Sequence, residues 1–381
     1  MAKYPSILVI AFVLCAILAS AGCITTDSPQ NTDETITITD AFGREVTVPY
    51  NPEKVAAVGS GSMRYFVYLG IDTERFVAVD FLDSKSYKSS NDLRPYILSH
   101  PEILGKEAVG PAKAVVDNER LLASGADILF MGGASSTSVE QADEVQDKTG
   151  IPVVMFYTGN YATDSEKIQA SLNMIAEIFG EEKRAEELIA YFDALDADLK
   201  QRAAAYSGEK PSVYVAGVAF QGSHGIDATN PSFYPFKVLS ANNIVSSEVD
   251  STGNTGYAKI TKEKLLEWNP DIIFVDLATL TAAEGGAIEE MKTDPALKYL
   301  DAVMENRIYT LNPDTAMNAN HETALANAYY IGKILYPEQF ADIDPVKKAD
   351  EIYTNVVGKP VFNQLKEHVN DLSYQKVLIN A

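Results

Sequence analysis

The chain has 381 residues, 46% hydrophobic and 9% aromatic, enough for one large or two medium cores, which excludes a disordered or low-complexity protein. Its 31 Lys and Arg stand against 53 Asp and Glu, a net charge of -22, which excludes sequence-independent binding to a nucleic-acid backbone. The two cysteines, Cys15 and Cys23, lie near the N-terminus, so the body after them has no disulfide or Cys-ligated metal, and four scattered histidines (His100, His224, His321, His368) form no local zinc motif.

Lys3 precedes an apolar run from Ile7 to Ala19, followed by the small residues Ser20, Ala21 and Gly22 and then Cys23. This charged, apolar, small-residue order is that of a secretory signal over residues 1–22, and the run is too short for the about 20 residues that span a bilayer. An uncleaved membrane anchor is the alternative. The ending Gly22-Cys23 resembles a lipobox, with Ser20 where that pattern usually has Leu, and implies lipidation of Cys23. Residues 23–35 are polar and aperiodic and read as a flexible tether.

Alternation in Ile36–Thr39 and Glu45–Val48, around the turn Asp40-Ala41-Phe42-Gly43, predicts a hairpin. Val55–Val58 reads as a buried strand, followed by Gly59-Ser60-Gly61 and a helix to Leu69. The runs Ile128–Met131 and Val153–Phe156 suit strands covered on both faces, as in a parallel sheet. Ser165–Phe179 has helical spacing and stops at Gly180. From Glu181 to Ala205 there is no Gly or Pro, and the apolar positions Leu188, Ile189, Phe192, Leu195 and Leu199 recur at three or four, a helix long enough to be a strut between lobes. Strand signals resume at Val213–Val215 and Ile272–Val275, and Asn320–Leu335 and Pro345–Val356 read as closing helices.

A weak repeat supports two similar lobes. Glu119-Arg120-Leu121-Leu122 leads to Asp127-Ile128-Leu129-Phe130, and Glu263-Lys264-Leu265-Leu266 leads to Asp271-Ile272-Ile273-Phe274. The expected organisation is an N-terminal α/β lobe over 36–180, a connecting helix over 181–206 and a C-terminal α/β lobe over 207–381. A cleft between two such lobes is the default place for a ligand.

Thr37–Arg44, Pro52–Val58, Ala126–Phe130, Gly150–Val154, Trp268–Val275, Asn306–Tyr309 and Ile334–Pro337, in that order and spacing, resemble substrate-binding proteins of ABC importers for iron-siderophores, cobalamin and heme. The resemblance covers nearly the whole chain after the tether. It implies two Rossmann-like α/β lobes joined by one long backbone helix, with the ligand cleft between them. It also implies an extracytoplasmic lipoprotein that hands a metal chelate to a membrane permease and its ATPase, with no intrinsic cofactor and no catalysis. One carboxylate per lobe in this family pairs with permease arginines; Glu119 and Glu263 match those places. Starting helices, they are expected at the end of each lobe opposite the ligand loops.

Cleft candidates follow strand ends. Ser60, Gly61, Ser62, Met63 and Arg64 form the first turn; the glycines nearly meet a dinucleotide fingerprint, but Arg64 replaces its third glycine. The others are Gly133, Ser135, Tyr157 and Tyr161 in the first half, and Gln221, His224, Tyr257, Asp276 and His321 in the second. Cobalamin or heme is an alternative ligand. So is an oxyanion of the molybdate or tungstate type held by helix N-termini and Arg64, or a bare divalent metal held by His100, His224, His321 and Asp276. An anchored surface enzyme on the same fold is the reading from a different class. The chain has no Gly-x-Ser-x-Gly elbow and no phosphate-binding Gly-x-x-x-x-Gly-Lys, and His321-Glu322 lacks a second histidine four residues on.

Overall fold

A computed structural model describes residues 34–89, 91–111, 115–133, 139–248, 256–282 and 285–379. The signal, Cys23, most of the tether and Ser135 lie outside the described residues.

The hairpin forms from β1 (Thr35–Thr39) and β2 (Glu45–Pro49), with Ile38 opposite Val46. Asp40 closes the turn, accepting from the Phe42 and Arg44 N–H groups at 2.9 and 3.0 Å. Its second oxygen accepts from the Met155 N–H at 3.1 Å, which fastens the hairpin to the lobe.

The first sheet contains β3 (Val55–Val58), β4 (Phe76–Val79), β5 (Glu107–Ala108), β6 (Ile128–Gly133) and β7 (Val153–Tyr157), all parallel, in the order β5-β4-β3-β6-β7. Its apolar runs are buried, as covered strands require. The helices of this half are α1 (Met63–Tyr68), α2 (Pro95–Ser99), α3 (Asn118–Ser124) and α4 (Val139–Thr149).

Next comes α5 (Tyr161–Phe179), whose backbone leaves helical geometry at Asp164, so its regular part starts at Ser165 as the sequence pattern predicts. Helix α6 (Glu182–Ala204) has 23 residues, ~35 Å at 1.5 Å per residue. Its buried stripe is Ala185, Leu188, Phe192, Leu195, Leu199 and Ala203. The absence of Pro and Gly keeps it continuous.

The second half contributes β8 (Ser212–Ala216), β9 (Ala228–Thr229), β10 (Asn242–Asn243), β11 (Ala258–Lys259), β12 (Ile272–Asp276) and β13 (Ile308–Leu311). A parallel sheet has the order β10-β8-β12-β13, and β9 pairs with β11 antiparallel. Its helices are α7 (Tyr234–Val238), α8 (Lys262–Trp268), α9 (Gly286–Thr293), α10 (Asp301–Met304), α11 (His321–Leu335), α12 (Pro345–Val357) and α13 (Phe362–His368). The C-terminal segment covers the edge of β13: the Thr310 N–H donates to Gln375 O at 3.0 Å and the Val377 N–H to Ile308 O at 2.9 Å.

One hydrophobic core runs from the first sheet (Val55, Phe130) through α6 (Phe192) and α11 (Tyr329) into the second sheet (Val215, Phe274). Smaller cores lie around β12 with Met291, and around β6 with Ala142 and Val145. Helix α12 packs on α1 and α2, and α13 on α2, so the chain after the second sheet returns to the first lobe. His368 Nδ1 lies 2.6 Å from Asp92 O, and the Lys359 ammonium donates to Ser99 O. The connecting helix is therefore one of several ties between the lobes.

Candidate ligand cleft

The first lobe's turns are packed down to glycine. Gly59 follows β3 at φ +107°, and a β-carbon there would lie 2.4 Å from Gly132 O. Its N–H donates to Asp80 Oδ2 at 3.0 Å. Gly61, at φ +70°, abuts the other lobe: a β-carbon would lie 2.1 Å from Met317 O. The Ser62 hydroxyl is 2.5 Å from Val58 O. All of α1 is buried, including Met63 and Arg64.

Arg64, 1% exposed, crosses the lobe boundary. Its Nη1 donates to Met317 O at 3.1 Å, and its Nη2 to Ala316 O at 3.1 Å and to Asn320 Oδ1 at 2.8 Å, with Asn318 O at 3.4 Å. The chain after β3 thus meets the chain after β13, which sets the carboxyl ends of the two sheets toward each other. This corrects the expectation of Arg64 as an oxyanion contact: its two Nη atoms are buried and committed to main-chain carbonyls and to Asn320 Oδ1. Of the first turn, Ser60 alone keeps partial exposure; Gly61, Ser62, Met63 and Arg64 are buried.

Gly133 and Tyr157 are half-buried, and the Lys167 ammonium sits 4.8 Å from the Tyr157 ring centre. Tyr161 is buried instead against Phe192, Tyr234 and His321, at ring-centre distances of 5.6, 5.9 and 5.8 Å.

The second lobe offers open loops. The rings of Phe220 and Tyr257 stack at 4.5 Å, and His224 lies 5.5 Å from Tyr257. Phe220 is 41% exposed, Gln221 is exposed at φ 52°, and His224 and Tyr257 are half-buried. His224 Nε2 lies 2.8 Å from Phe220 O, which fixes Nε2 as the protonated nitrogen.

Asp276 ends β12 and is buried, its Oδ1 accepting from the Ala278 N–H at 2.8 Å while Oδ2 meets no partner among the described residues. Burial, and then the neighbouring Asp314, push its carboxyl well above the ordinary range; burial pushes Asp314 up to about 6. His321 is held down at about 3 by burial and then by the Arg64 charge, so its imidazole is neutral. The Tyr68 hydroxyl donates to Glu322 beside it. Asp314, Met317, Asn318, Asn320 and Glu322 belong to this boundary and escaped sequence reading. The Asn-rich run Asn318-Ala319-Asn320 before α11 is the signal that marks their turn, because Asn tolerates left-handed backbone.

His100 bonds Glu102, His224 bonds its own loop and His321 is enclosed by tyrosines. Among the described residues, no three His, Cys, Asp or Glu side chains converge on a metal position. The set needed for a bare divalent metal is therefore not assembled there.

Glu119 and Glu263 are exposed, in the first turns of α3 and α8. Asp117 caps α3 through the Glu119 and Arg120 N–H groups, and Thr261 caps α8 through the Lys264 N–H. The expected face is corrected. Helix α3 enters the amino end of its sheet, where the Asp127 N–H donates to Lys54 O, and α8 does so where Asp271 bonds Ser212. A helix antiparallel to its strands then begins near their carboxyl ends. In agreement, a cavity of about 470 Å³ is lined by Phe81, just past β4, together with Asp117 and Arg120. Both acids share the end of the lobe that carries the candidate ligand loops.

A profile of the periplasmic binding protein family matches residues 55–315. The chain belongs to this family. YvrC of Bacillus subtilis, a substrate-binding lipoprotein of an ABC transporter, is 23% identical over 308 residues, 81% of this chain and 87% of YvrC. The molybdate-binding protein MolA of Haemophilus influenzae is 23% identical over 337 residues, 83% of this chain and 89% of MolA. The structure of MolA bound to molybdate matches with a TM-score of 0.64 at 21% identity, covering 85% of this chain and 98% of MolA. That of the catecholate-siderophore binding protein VctP of Vibrio cholerae matches at 0.55 and 17%, covering 77% and 99%. These structures share the fold. As a periplasmic binding protein, the chain is an extracytoplasmic substrate-binding component of an ABC transporter, and the resemblance read from its motifs is borne out.

Proposed function

We propose that this periplasmic binding protein is a lipoprotein, anchored through Cys23, that captures a metal chelate between its lobes and delivers it to an ABC permease. The iron(III)-siderophore type is the chelate class we favour. The observation that carries this reading is the half-open aromatic cluster Phe220–Tyr257–His224. A chelate presents an organic shell that stacks on rings and hydrogen-bonds to neutral polar groups such as Gln221 and Ser60. Arg64, in the helix that follows the first turn, is engaged across the lobe boundary. Kinship with MolA supports a second reading, an oxyanion of the molybdate type held by main-chain N–H groups. Glu119 and Glu263, on the end that carries the ligand loops, suit a permease that takes ligand from that end.

Native mass spectrometry of protein purified from its own cells tests the ligand class. A metal-bearing organic adduct, weakened about tenfold or more in the Phe220→Ala, Tyr257→Ala double variant, is the expected result. Molybdate as the retained adduct, indifferent to that variant, would replace the first reading by the second.

A further inference from the structure

Three consecutive carbonyls, of Ala316, Met317 and Asn318, face the Arg64 guanidinium. A trans peptide sets its C=O and the next residue's N–H on opposite sides. The N–H groups of Met317 and Asn318 therefore face away from the guanidinium, and neither meets an acceptor among the described residues. Both residues are left-handed, with φ of 51° and 76°, which is unusual for a methionine. Such outliers persist only where their surroundings over-determine them. Here the Ala316 N–H donates to Asn318 O at 3.1 Å, the Ala319 N–H to Asn318 Oδ1 at 2.9 Å and the Asn320 N–H to Asp314 O at 2.7 Å. Met317 and Asn318 are half-buried, so the turn reaches the surface rather than lying sealed in the core. The turn follows β13 at the carboxyl end of its sheet, where this fold binds ligands.

We propose that the Met317–Asn318 turn is a ligand subsite whose adjacent main-chain N–H groups receive an anionic oxygen, with Arg64 as the positioning residue that holds the turn from the opposite lobe. Adjacent N–H dipoles favour an anionic oxygen without a cation. Such an oxygen comes from a free oxyanion or from the donor atoms of a metal chelate. The inference rests on the ligand-capture reading above.

The test is a titration of deuterated, 15N-labelled protein, followed by amide resonances. One arm uses sodium molybdate and the other gallium(III) tris-acetohydroxamate, a diamagnetic analogue of a ferric hydroxamate. The Met317 and Asn318 amides should move downfield as one of the probes saturates, and the arm that moves them names the source of the oxygen. Arg64→Met should weaken that probe tenfold or more and abolish both shifts, with Arg64→Lys intermediate. The amide readout on the unaltered protein needs no variant, so poor folding of Arg64→Met leaves the test intact. Shifts at Phe220 and Tyr257 without shifts at Met317 and Asn318 would overturn the subsite alone. Silence of every amide with both probes would overturn the chelate and oxyanion readings together, and the subsite with them.

Discussion

The two lobes bring different material to the cleft. In the first lobe, Gly59 and Gly61 sit where no side chain fits, and α1 is buried along its whole length. In the second lobe, Phe220, Gln221, His224, Tyr257 and the 315–319 turn keep partial exposure. Both lobes are built on parallel strands, so the difference arises in the loops. Close packing makes the first lobe a fixed wall, because a dense interface has few alternative arrangements. Around Phe220, Gln221, His224 and Tyr257 the second lobe can vary its loop chemistry at little cost to stability, because these partly exposed loop residues hold up no core. Under the proposed ligand-capture reading, the second lobe sets ligand selectivity and the first sets its placement.

Matched glycine substitutions put the largest strain on this comparison. Gly61→Ala sets a β-carbon against Met317 O in left-handed backbone and should destabilise by about 3 kcal/mol. Gly222, at φ +139°, has nothing within 4 Å of the point where a β-carbon would stand, and Gly222→Ala should cost about 1 kcal/mol. Urea unfolding of both variants checks this. Equal losses would mean that the lobes are packed alike.

A smaller effect should come from the buried acid pair beneath the 315–319 turn. Folding raises the Asp314 carboxyl from its ordinary 3.8 to about 6 and raises Asp276 as well, through burial and then Asp314. A raised acid favours the folded state below its unfolded value and loses that contribution as pH rises through the folded one. Stability from Asp314 should thus fall between pH about 4 and about 6. Asp314→Asn should gain roughly 1–3 kcal/mol over wild type at pH 8 and lose that advantage at pH 4. His321 acts oppositely: held at about 3, it weakens the fold as pH falls below its ordinary 6.5. The variant-minus-wild-type difference cancels His321 and reports the coupled Asp314–Asp276 pair. A difference flat with pH would show that the acid does not titrate on folding.

The strands and the long helix were legible because their signals are local. Continuous apolar runs mark Ile128–Met131 and Ile272–Val275, and three-or-four spacing marks Leu188 to Leu199. The role of Arg64 was not legible, since its acceptors lie some 250 positions away, as Met317 does at 253. Asp314 is one acid among 53 Asp and Glu, and only folding sets it beside Asp276. The face carrying Glu119 and Glu263 is set by topology rather than by a local signal, since a helix returning between parallel strands starts at their carboxyl ends. The aromatic loop after β8 was found through its turn residues, but the stacking of Phe220 on Tyr257 needed the fold.

The smallest effects concern the two exposed acids. Glu119→Ala or Glu263→Ala alone should lower transport less than about fivefold, because single exposed charges contribute little. The double variant should lower it clearly while leaving ligand affinity intact, and the wild-type rate should fall with salt. Transport in reconstituted vesicles, beside binding to the isolated protein, checks this. Unchanged transport by the double variant would remove the docking role; lost ligand affinity would place both acids inside the cleft.

Hydrogen–deuterium exchange before and after stripping the ligand tests the central claim, capture between a fixed wall and open loops, most directly. Protein isolated with its native ligand is compared with the same protein unfolded, freed of ligand and refolded. Stripping should expose residues 220–224, 257 and 315–319 to exchange and leave α1 and α6 protected as before. Equal changes across both lobes, or changes confined to segments away from those loops, would contradict the account.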